Sequence, residues 1–216
     1  MTTVAVFASS CDKYKDFWPR WTASLEQFWP SCLCSKWIQS NDITGSGLVP
    51  TGPDIGWNRN ILKAITAIQA DYILLTLENH ILLSSVDEIS FDKAHGILDT
   101  NSSIGLVQLS RCWPTETRYE HWNKLGYYNR TPHPFKICSL SATPLWRKSL
   151  LIAIINHVIS EIPEQQDVGR QGAVEFEVEG TRLWVQNNSI YPWNVLGIDR
   201  DAGQTHIYPF GNESGG

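Results

Sequence analysis

The sequence lacks the features that mark several classes of protein. No stretch of its 216 residues approaches the roughly 18 uncharged apolar residues of a membrane-spanning helix. It contains no block of Lys and Arg, and 17 basic residues stand against 22 acidic ones, which gives a net charge of −5. A weakly acidic chain of this kind is poorly suited to general binding of nucleic acids or anionic membranes through charge.

Paired cysteines and a secretory leader are also missing. The five cysteines are an odd number without zinc-type spacing, and only Cys32 and Cys34 lie close, one residue apart. The N-terminus has no basic segment, and its apolar run is too short for a signal peptide. We therefore expect reduced thiols, no membrane span and a cytoplasmic location.

The composition that remains is that of a folded globular protein. Apolar residues make up 42% and charged residues 18% of the chain. This length suits one domain, which we place at residues 1–210, followed by a disordered Gly/Ser tail at 211–216. Ten Trp residues are present, but Trp is as common in cores as in sugar-binding and base-binding platforms.

Short apolar runs alternate with amphipathic stretches in the first half of the chain. The runs predict strands at residues 4–8, 35–39, 71–77 and 104–109. Helical spacing predicts helices at residues 17–29, 57–68, 90–98 and 145–159. We expect a long loop at 111–135, with further short strands from residue 183. This pattern indicates an α/β fold of Rossmann type with a mostly parallel central sheet, a nucleotide-binding half at 1–110 and an elaborated half at 111–210.

Polar clusters follow three of the predicted strands. They are Ser9 to Asp12, Asn41-Asp42, and Glu78-Asn79-His80. Ligands of open parallel sheets bind beyond the carboxyl ends of the strands, so these clusters are candidate binding residues. Each is also consistent with a solvated turn stabilised by local side-chain hydrogen bonds.

The third cluster has a spacing that could hold a metal. On an extended chain Glu78 and His80 would point to the same side, and carboxylate with imidazole suits a borderline divalent ion such as Mn²⁺ better than Mg²⁺. In the alternative, Glu78 caps the following turn and His80 packs or forms a hydrogen bond.

Five stretches resemble, in order, segments of certain bacterial GT-A-type glycosyltransferases. The stretch from Asp71 to Asp87 is similar to the pattern "eyvLllLDDyfl…Vd", with Glu78-Asn79-His80 in place of Asp-Asp-Tyr. The other four are Val4 to Tyr14, Gly56 to Ala64, Ser139 to Leu150, and Val174 to Arg182. The last is similar to "WEFEl.Gt.r", with Val174 in place of Trp.

The resemblance implies a GT-A fold and transfer of a sugar from a nucleotide-diphosphate donor to an acceptor hydroxyl, by inversion and with a carboxylate base. It implies that the nucleotide side is formed by Ser10, Asp12, Tyr14, Asn41 and Arg59. Glu78 and His80 would face the diphosphate, with Mn²⁺ as the favoured metal. The acceptor would be a glycan or another hydroxyl compound, with a nucleic-acid base less favoured.

The same resemblance places a catalytic base among the acids that follow Val174. We expect an extended segment in which Glu175, Glu177 and Glu179 share one face. Glu175 is the first choice for the base and Glu177 the second, against the alternative of a solvated strand face. Candidate phosphate partners are Arg111, Arg147 and Lys148, with solvated surface cations as the alternative. A candidate acceptor platform is formed by Trp113, Tyr119, Trp122, Tyr127 and Tyr128, with a small core under a long loop as the alternative.

Two rival functions stay open on the sequence. A non-catalytic carbohydrate-binding protein would use the aromatic residues, with a vestigial acidic cluster. A nucleotidyltransferase would need a Gly-rich phosphate loop after the first strand, and the residues from Ala8 to Asp12 contain no Gly.

Overall fold

The computed structural model describes residues 2–110, 119–122, 125–128, 138, 140, 143–186, 194–198 and 208–212. The strands in these residues are β1 (Val4–Ser9), β2 (Ser35–Ser40), β3 (Leu48–Pro50), β4 (Tyr72–Leu77), β5 (His80–Leu82), β6 (Ile104–Gln108), β7 (Tyr119–Trp122), β8 (Leu125–Tyr128), β9 (Pro144–Arg147), β10 (Asn194–Ile198) and β11 (Phe210–Asn212). The α-helices are α1 (Trp18–Phe28), α2 (Trp57–Ala67), α3 (Glu88–Thr100), α4 (Lys148–Glu161) and α5 (Gly169–Gln186). Two 3₁₀ segments, Asp12–Phe17 and Glu164–Gln166, precede α1 and α5.

Nine strands form one mixed sheet in the order β3-β2-β1-β4-β9-β6-β10-β8-β7. β1 pairs in parallel with β2 and β4, β2 with β3, and β6 with β10. β9 runs antiparallel between β4 and β6, and β8 runs antiparallel to β10 and β7. β5 and β11 form a separate antiparallel pair. The predicted α/β fold with a mostly parallel central sheet is confirmed.

Helices cover both faces of the central strands. Val6 and Leu74 face the layer that contains α1 and α3, whereas Phe7 and Ile73 face the layer of α2, α4 and α5. Successive strand residues point to opposite faces, so a strand covered on both faces needs a nearly continuous apolar run. This requirement explains why β1 and β4 were predictable from sequence.

The helix expected at 145–159 begins later than predicted. Residues 144–147 form β9 instead, and Trp146 is fully buried between β4 and β6. The spacing of apolar residues in a short run next to a helix is compatible with either a strand or a continuation of the helix. Pairing with two neighbouring strands decides in favour of the strand.

The extended segment expected around Glu175 is wrong, and so is the strand expected from residue 183. Both lie in α5. Phe176, Gly180 and Leu183 are buried at helical spacing, so the helix places a continuous stripe against the core. At Gly180 an added Cβ would lie 2.9 Å from the Cys138 sulfur. The absence of a side chain at Gly180 therefore lets α5 lie close to Cys138.

The long loop expected at 111–135 contains the hairpin of β7 and β8. Arg111 and Trp113 lie outside the described residues. Gly211 and Asn212 belong to β11 and pair with β5, so the tail expected from residue 211 does not begin there. Within the part of the chain described, no helix is long and apolar enough to cross a membrane.

Candidate functional site

The carboxyl ends of β1, β2 and β4 meet at one edge of the sheet. Ser9 at the end of β1 lies opposite Leu77 at the end of β4, and Ala8 lies opposite Ile38 of β2. The chain turns to one side of β1 to form β2 and returns on the other side to form β4. This reversal of strand order is the place where open α/β sheets open a ligand crevice.

Asp12 and Asn41 are brought together at this crevice. The Asp12 carboxylate accepts hydrogen bonds from the backbone N–H groups of Asn41, Asp42 and Ile43 at 2.8, 3.0 and 3.2 Å. The Asp12 N–H donates in return to the Asn41 side-chain oxygen at 3.2 Å. Burial raises the pKa of Asp12, but these backbone donors outweigh it and the net shift is downward. The pair ties the turn after β1 to the turn after β2.

The other two candidates in the first turn differ in exposure. The buried Ser10 hydroxyl accepts a hydrogen bond from the indole N–H of Trp18 at 2.8 Å. Tyr14 is 41% exposed, and its ring contacts Phe17 edge-on with centroids 6.5 Å apart. Ser10 therefore holds the start of α1 in place, whereas the Tyr14 ring is exposed and has the Lys13 ammonium 5.6 Å from its centroid.

Glu78 follows β4 directly and lies next to the turn after β1. Burial raises its pKa from about 4.5 to about 7. The Cys11 thiol also has a raised pKa, caused first by burial and then by the Glu78 and Asp54 carboxylates. Sequence analysis included Cys11 in the cluster from Ser9 to Asp12 but missed Asp54, whose carboxylate acts on the Cys11 thiol together with that of Glu78.

The extended arrangement expected for Glu78 and His80 is not present. Glu78 and Asn79 form a turn, and His80 begins a new strand, β5. β5 packs on α1, where the Leu82 N–H donates to the Ser24 hydroxyl at 3.2 Å. His80 is 2% exposed, and burial lowers its pKa to about 3, so the imidazole is neutral.

These residues only partly fit a metal. Glu78 is an oxygen donor at the crevice, and a neutral imidazole is a competent ligand. Among the described residues, however, no three His, Cys, Asp or Glu side chains come together as a metal-binding group. Metal binding by Glu78 and His80 therefore stays a prediction.

Arg59 forms a buried network that the sequence did not reveal. Its guanidinium donates to the Asp167 carboxylate at 2.8 Å, with the Arg59 side chain 19% exposed and that of Asp167 fully buried. The same carboxylate accepts from the Asn58 backbone and side-chain N–H groups, both at 2.8 Å, and from the Arg59 backbone at 3.3 Å. Asp167 thus supplies the N-terminal cap of α2 from 109 residues downstream of Asn58.

Two glycines make room for this network. Gly56 has φ 122°, and a Cβ there would lie 2.4 Å from an Asp167 oxygen; at Gly172 the corresponding distance is 2.8 Å. Gly56 is therefore required both by its backbone conformation and by the close approach. A glycine just before a helix was a visible signal, but it did not identify the distant partner.

The predicted bases lie on different sides of α5. Glu177 is 8% exposed, and its carboxylate accepts the Leu140 N–H at 2.8 Å. Glu175 is partly exposed. Glu179, four residues on, shares the side of Glu175 and pairs with Arg182. Glu177 anchors the chain ahead of β9, which leaves Glu175 as the more accessible carboxylate.

Arg147 and Lys148 lie at the opposite edge of the sheet, so their suggested role as phosphate partners at the crevice is wrong. Arg147 pairs with Tyr72 at the start of β4, and its guanidinium donates to the Asn101 and Ile104 carbonyls, both at 3.3 Å. The Lys148 ammonium donates to the Ile68 carbonyl at 2.6 Å. Because β9 runs antiparallel to β4, its last residues reach the amino edge.

Comparisons with known proteins place the fold. No protein-family model matches the chain, and no curated protein matches its sequence. S. aureus TarS residues 1–349 in complex with UDP-GlcNAc superposes with a TM-score of 0.55 at 12% identity, over 99% of this chain and 59% of that one. A CMP:2-keto-3-deoxy-manno-octonic acid synthetase complexed with CTP superposes with a TM-score of 0.51 at 11% identity, over 91% of this chain and 89% of that one.

A further structure, of a mycobacterial protein, gives a TM-score of 0.51 at 10% identity over 100% of this chain and 68% of that one. At these identities the likeness concerns the fold. The chain spans about three fifths of the TarS fragment, 59% of its length. Its architecture is the α/β fold of GT-A and nucleotidyltransferase type.

Proposed function

We propose that this protein is a glycosyltransferase that moves a sugar from a nucleotide-diphosphate donor to an acceptor hydroxyl. The observation that carries the proposal is the crevice between the ends of β1 and β4, bordered by Asp12, Asn41 and Glu78. The shared fold of TarS, which has been solved with UDP and with UDP-GlcNAc, supports a nucleotide-sugar as the co-substrate.

The nucleoside would lie over the turns after β1 and β2. The Asp12–Asn41 hydrogen bonds hold these turns together, so the surface is formed before a ligand arrives. The exposed Tyr14 ring supplies a face on which a base can stack.

The diphosphate needs positive charge or hydrogen-bond donors, because the leaving group gains negative charge as the sugar bond breaks. Arg59 lies at the N-terminus of α2, where the Asp167 carboxylate pairs with its guanidinium and caps the helix. We propose that Arg59 serves the diphosphate as a hydrogen-bond donor. Without a metal, Glu78, whose pKa is about 7, is partly protonated at neutral pH and can donate to a phosphate oxygen. As a metal ligand it would act as the carboxylate instead. A divalent cation, Mn²⁺ rather than Mg²⁺, would neutralise the diphosphate further, with Glu78 and His80 as its proposed ligands.

The acceptor hydroxyl needs a base in an inverting reaction, because it loses its proton as it attacks the anomeric carbon. We assign this role to Glu175, whose side chain is partly exposed on α5. Glu177 is the second choice, because its carboxylate already accepts the Leu140 N–H.

A nucleotidyltransferase is the second candidate. It is favoured by the mutual coverage with the CTP-bound synthetase, which spans nearly the whole of both chains. The turn after β1 has no Gly to admit a triphosphate closely, which ranks this candidate below sugar transfer.

The experiment is a donor panel. UDP-, GDP- and TDP-sugars are screened with and without Mn²⁺ by thermal shift, since a ligand that binds the folded state raises its apparent stability. Release of nucleoside diphosphate from the stabilising donor supports the proposal. Pyrophosphate release from a nucleoside triphosphate and a sugar would instead establish the nucleotidyltransferase.

Two further outcomes are decisive. Stabilisation by glycans, with no nucleotide turned over, would establish a carbohydrate-binding protein. Full transfer activity in excess EDTA would show that the reaction needs no divalent metal, and hydrogen-bond donors such as Arg59 would then stabilise the diphosphate.

A further inference from the structure

Asp54 lies in a loop that is tied to the crevice by hydrogen bonds. The loop covers residues 51–56, between β3 and α2. The Gly52 N–H donates to the Asn41 carbonyl at 2.9 Å, and the Asn41 side-chain amide donates to the Gly52 carbonyl at 3.2 Å. The Asn41 N–H donates in turn to Asp12, after β1. The loop is therefore joined to both turns over which the nucleoside is proposed to lie.

The two carboxylate oxygens of Asp54 have different surroundings. Oδ1 accepts the Gly56 backbone N–H at 3.1 Å and the Asn60 side-chain amide at 2.8 Å. Oδ2 accepts no hydrogen bond from any residue that the structure describes, and Asp54 is exposed. Burial, and after it the Glu78 and Asp54 carboxylates, raises the pKa of the Cys11 thiol, which places the Asp54 charge near the turn after β1. Asp54 therefore presents one free carboxylate oxygen beside the crevice.

We propose that Asp54 selects the nucleobase of the donor, because its free oxygen accepts the N3–H group of uracil or thymine. The inference rests on the proposed sugar transfer, which puts a nucleoside over the adjoining turns. Uracil and thymine carry a hydrogen on N3, whereas cytosine has a lone pair at the same position. A carboxylate oxygen accepts the hydrogen and repels the lone pair. Asp54 thus favours uridine or thymidine donors and rejects cytidine donors of nearly the same size.

The single free oxygen also limits which bases Asp54 can bind fully. Guanine presents its N1–H and its amino group side by side, and a carboxylate binds both only with two oxygens. Oδ1 already accepts two hydrogen bonds, from Gly56 and Asn60. Asp54 would therefore leave the guanine amino group without an acceptor, whereas a pyrimidine with one ring N–H matches the free oxygen.

Asp54→Asn tests this selection while it keeps the hydrogen bonds of the loop. Gly56 and Asn60 both donate at the Oδ1 position, so the new amide keeps its oxygen there and turns its NH₂ group toward the ligand. An NH₂ group donates to cytosine N3 and cannot accept the uracil N3–H. The affinities of UDP and CDP are measured by calorimetry, both with Mn²⁺, for the unaltered protein, for Asp54→Asn and for the control Asp16→Asn. Asp16 is an exposed acid in the 3₁₀ segment after β1, and its substitution makes the same change of charge.

The ratio of the two affinities is the result that matters. The unaltered protein should bind UDP at least about tenfold more tightly than CDP, because a charge-assisted hydrogen bond replaces a repulsion. Asp54→Asn should lower this ratio to about one or less, and Asp16→Asn should leave it unchanged. A ratio near one in the unaltered protein, or equal losses for both nucleotides in Asp54→Asn, would overturn the inference and leave sugar transfer standing. No binding of either nucleotide to the unaltered protein would overturn both.

Two methylated ligands give the same test without a variant. In 3-methyluridine diphosphate a methyl group replaces the N3 hydrogen, whereas 5-methyluridine diphosphate carries its methyl group away from N3. The unaltered protein should bind the 5-methyl compound like UDP and the 3-methyl compound at least about tenfold more weakly. Equal affinities for the two compounds would contradict a contact at N3, whether or not Asp54→Asn folds.

Discussion

Charged side chains satisfy backbone groups at both edges of the central sheet, in different ways. At the carboxyl edge the carboxylates of Asp12 and Asp167 accept backbone N–H groups. At the amino edge Arg147 and Lys148 donate to backbone carbonyls. Arg147 and Lys148 show that a basic residue in a segment that resembles part of a binding site need not lie near that site in the fold.

Helix α2 shows within one element why an acid is bound at one edge of the sheet and a cation at the other. Its N-terminus lies at the carboxyl edge, where free N–H groups and the positive end of the helix dipole attract Asp167. Its C-terminal end lies at the amino edge, where the free Ile68 carbonyl attracts Lys148. In a sheet whose helices return antiparallel to the strands, anionic ligands therefore favour the carboxyl edge.

A large loss of activity is expected at Glu78, the carboxyl proposed to face the diphosphate. Glu78→Gln should lower sugar transfer by at least about 100-fold while the fold stays intact, because the ionisable group that we propose faces the diphosphate is lost. The measurement is turnover of the donor found by the panel. Glu26→Gln on the exposed surface of α1 is the matched control and should leave turnover unchanged. Near-wild-type transfer by Glu78→Gln would remove Glu78 from the mechanism.

A second comparison separates the two acids of α5. Glu175→Gln should lose roughly 10²–10⁴-fold in transfer yet bind donor normally, as expected when a general base is removed. Glu177→Gln should chiefly lower the free energy of unfolding, by about 1–3 kcal/mol, because the Leu140 N–H loses its charged acceptor.

Single-turnover transfer beside donor calorimetry distinguishes these outcomes. Loss of donor binding in Glu175→Gln, or a product that keeps the donor's anomeric configuration, would show that Glu175 is not the base.

The cap of α2 gives the third prediction. Asp167→Ala should lower the free energy of unfolding by about 3–5 kcal/mol, because it removes one partner of a buried ion pair and uncaps the helix. Urea unfolding measures the change, with Glu164→Ala in the adjacent exposed 3₁₀ segment as the control. A loss below about 1 kcal/mol would mean that water replaces the carboxylate at little cost.

A further prediction is a pH dependence of stability. The folded-state pKa of Glu78 is about 7, above its ordinary value of 4.5, so the folded protein holds a proton that the unfolded chain releases. Stability should therefore fall as pH rises from about 4.5 to 7, by up to roughly 3 kcal/mol for this group. Glu78→Gln should abolish that slope and be the more stable protein at pH 8. Parallel stability curves for the two proteins would contradict the raised pKa.

Local patterns predicted the first half of the fold well. The runs at β1 and β4 are apolar because both faces are covered, and Ile61, Ala64 and Ile65 mark the buried face of α2. The polar turns at their ends were therefore also found. These elements depend on their own residues and on burial alone.

The second half depended on distant partners. Acidic and apolar residues alternate around Phe176, which is the spacing of a strand. The chain forms a helix there instead, because a helix buries Phe176 and Leu183 on the same face. Arg59 was named as a nucleotide contact, whereas its bond to Asp167 joins residues 108 positions apart and leaves no local signal. Sequence period cannot reveal contacts of this kind.

Donor binding by proteins altered at opposite edges of the sheet tests the central claim most directly. The affinity of the selected nucleotide-sugar is measured by calorimetry for the unaltered protein, for Tyr14→Ala at the carboxyl edge and for Lys148→Gln at the amino edge. The account predicts a loss of about tenfold or more for Tyr14→Ala, from the stacking face it removes, and unchanged affinity for Lys148→Gln. Weakened binding in Lys148→Gln with unchanged binding in Tyr14→Ala would contradict it.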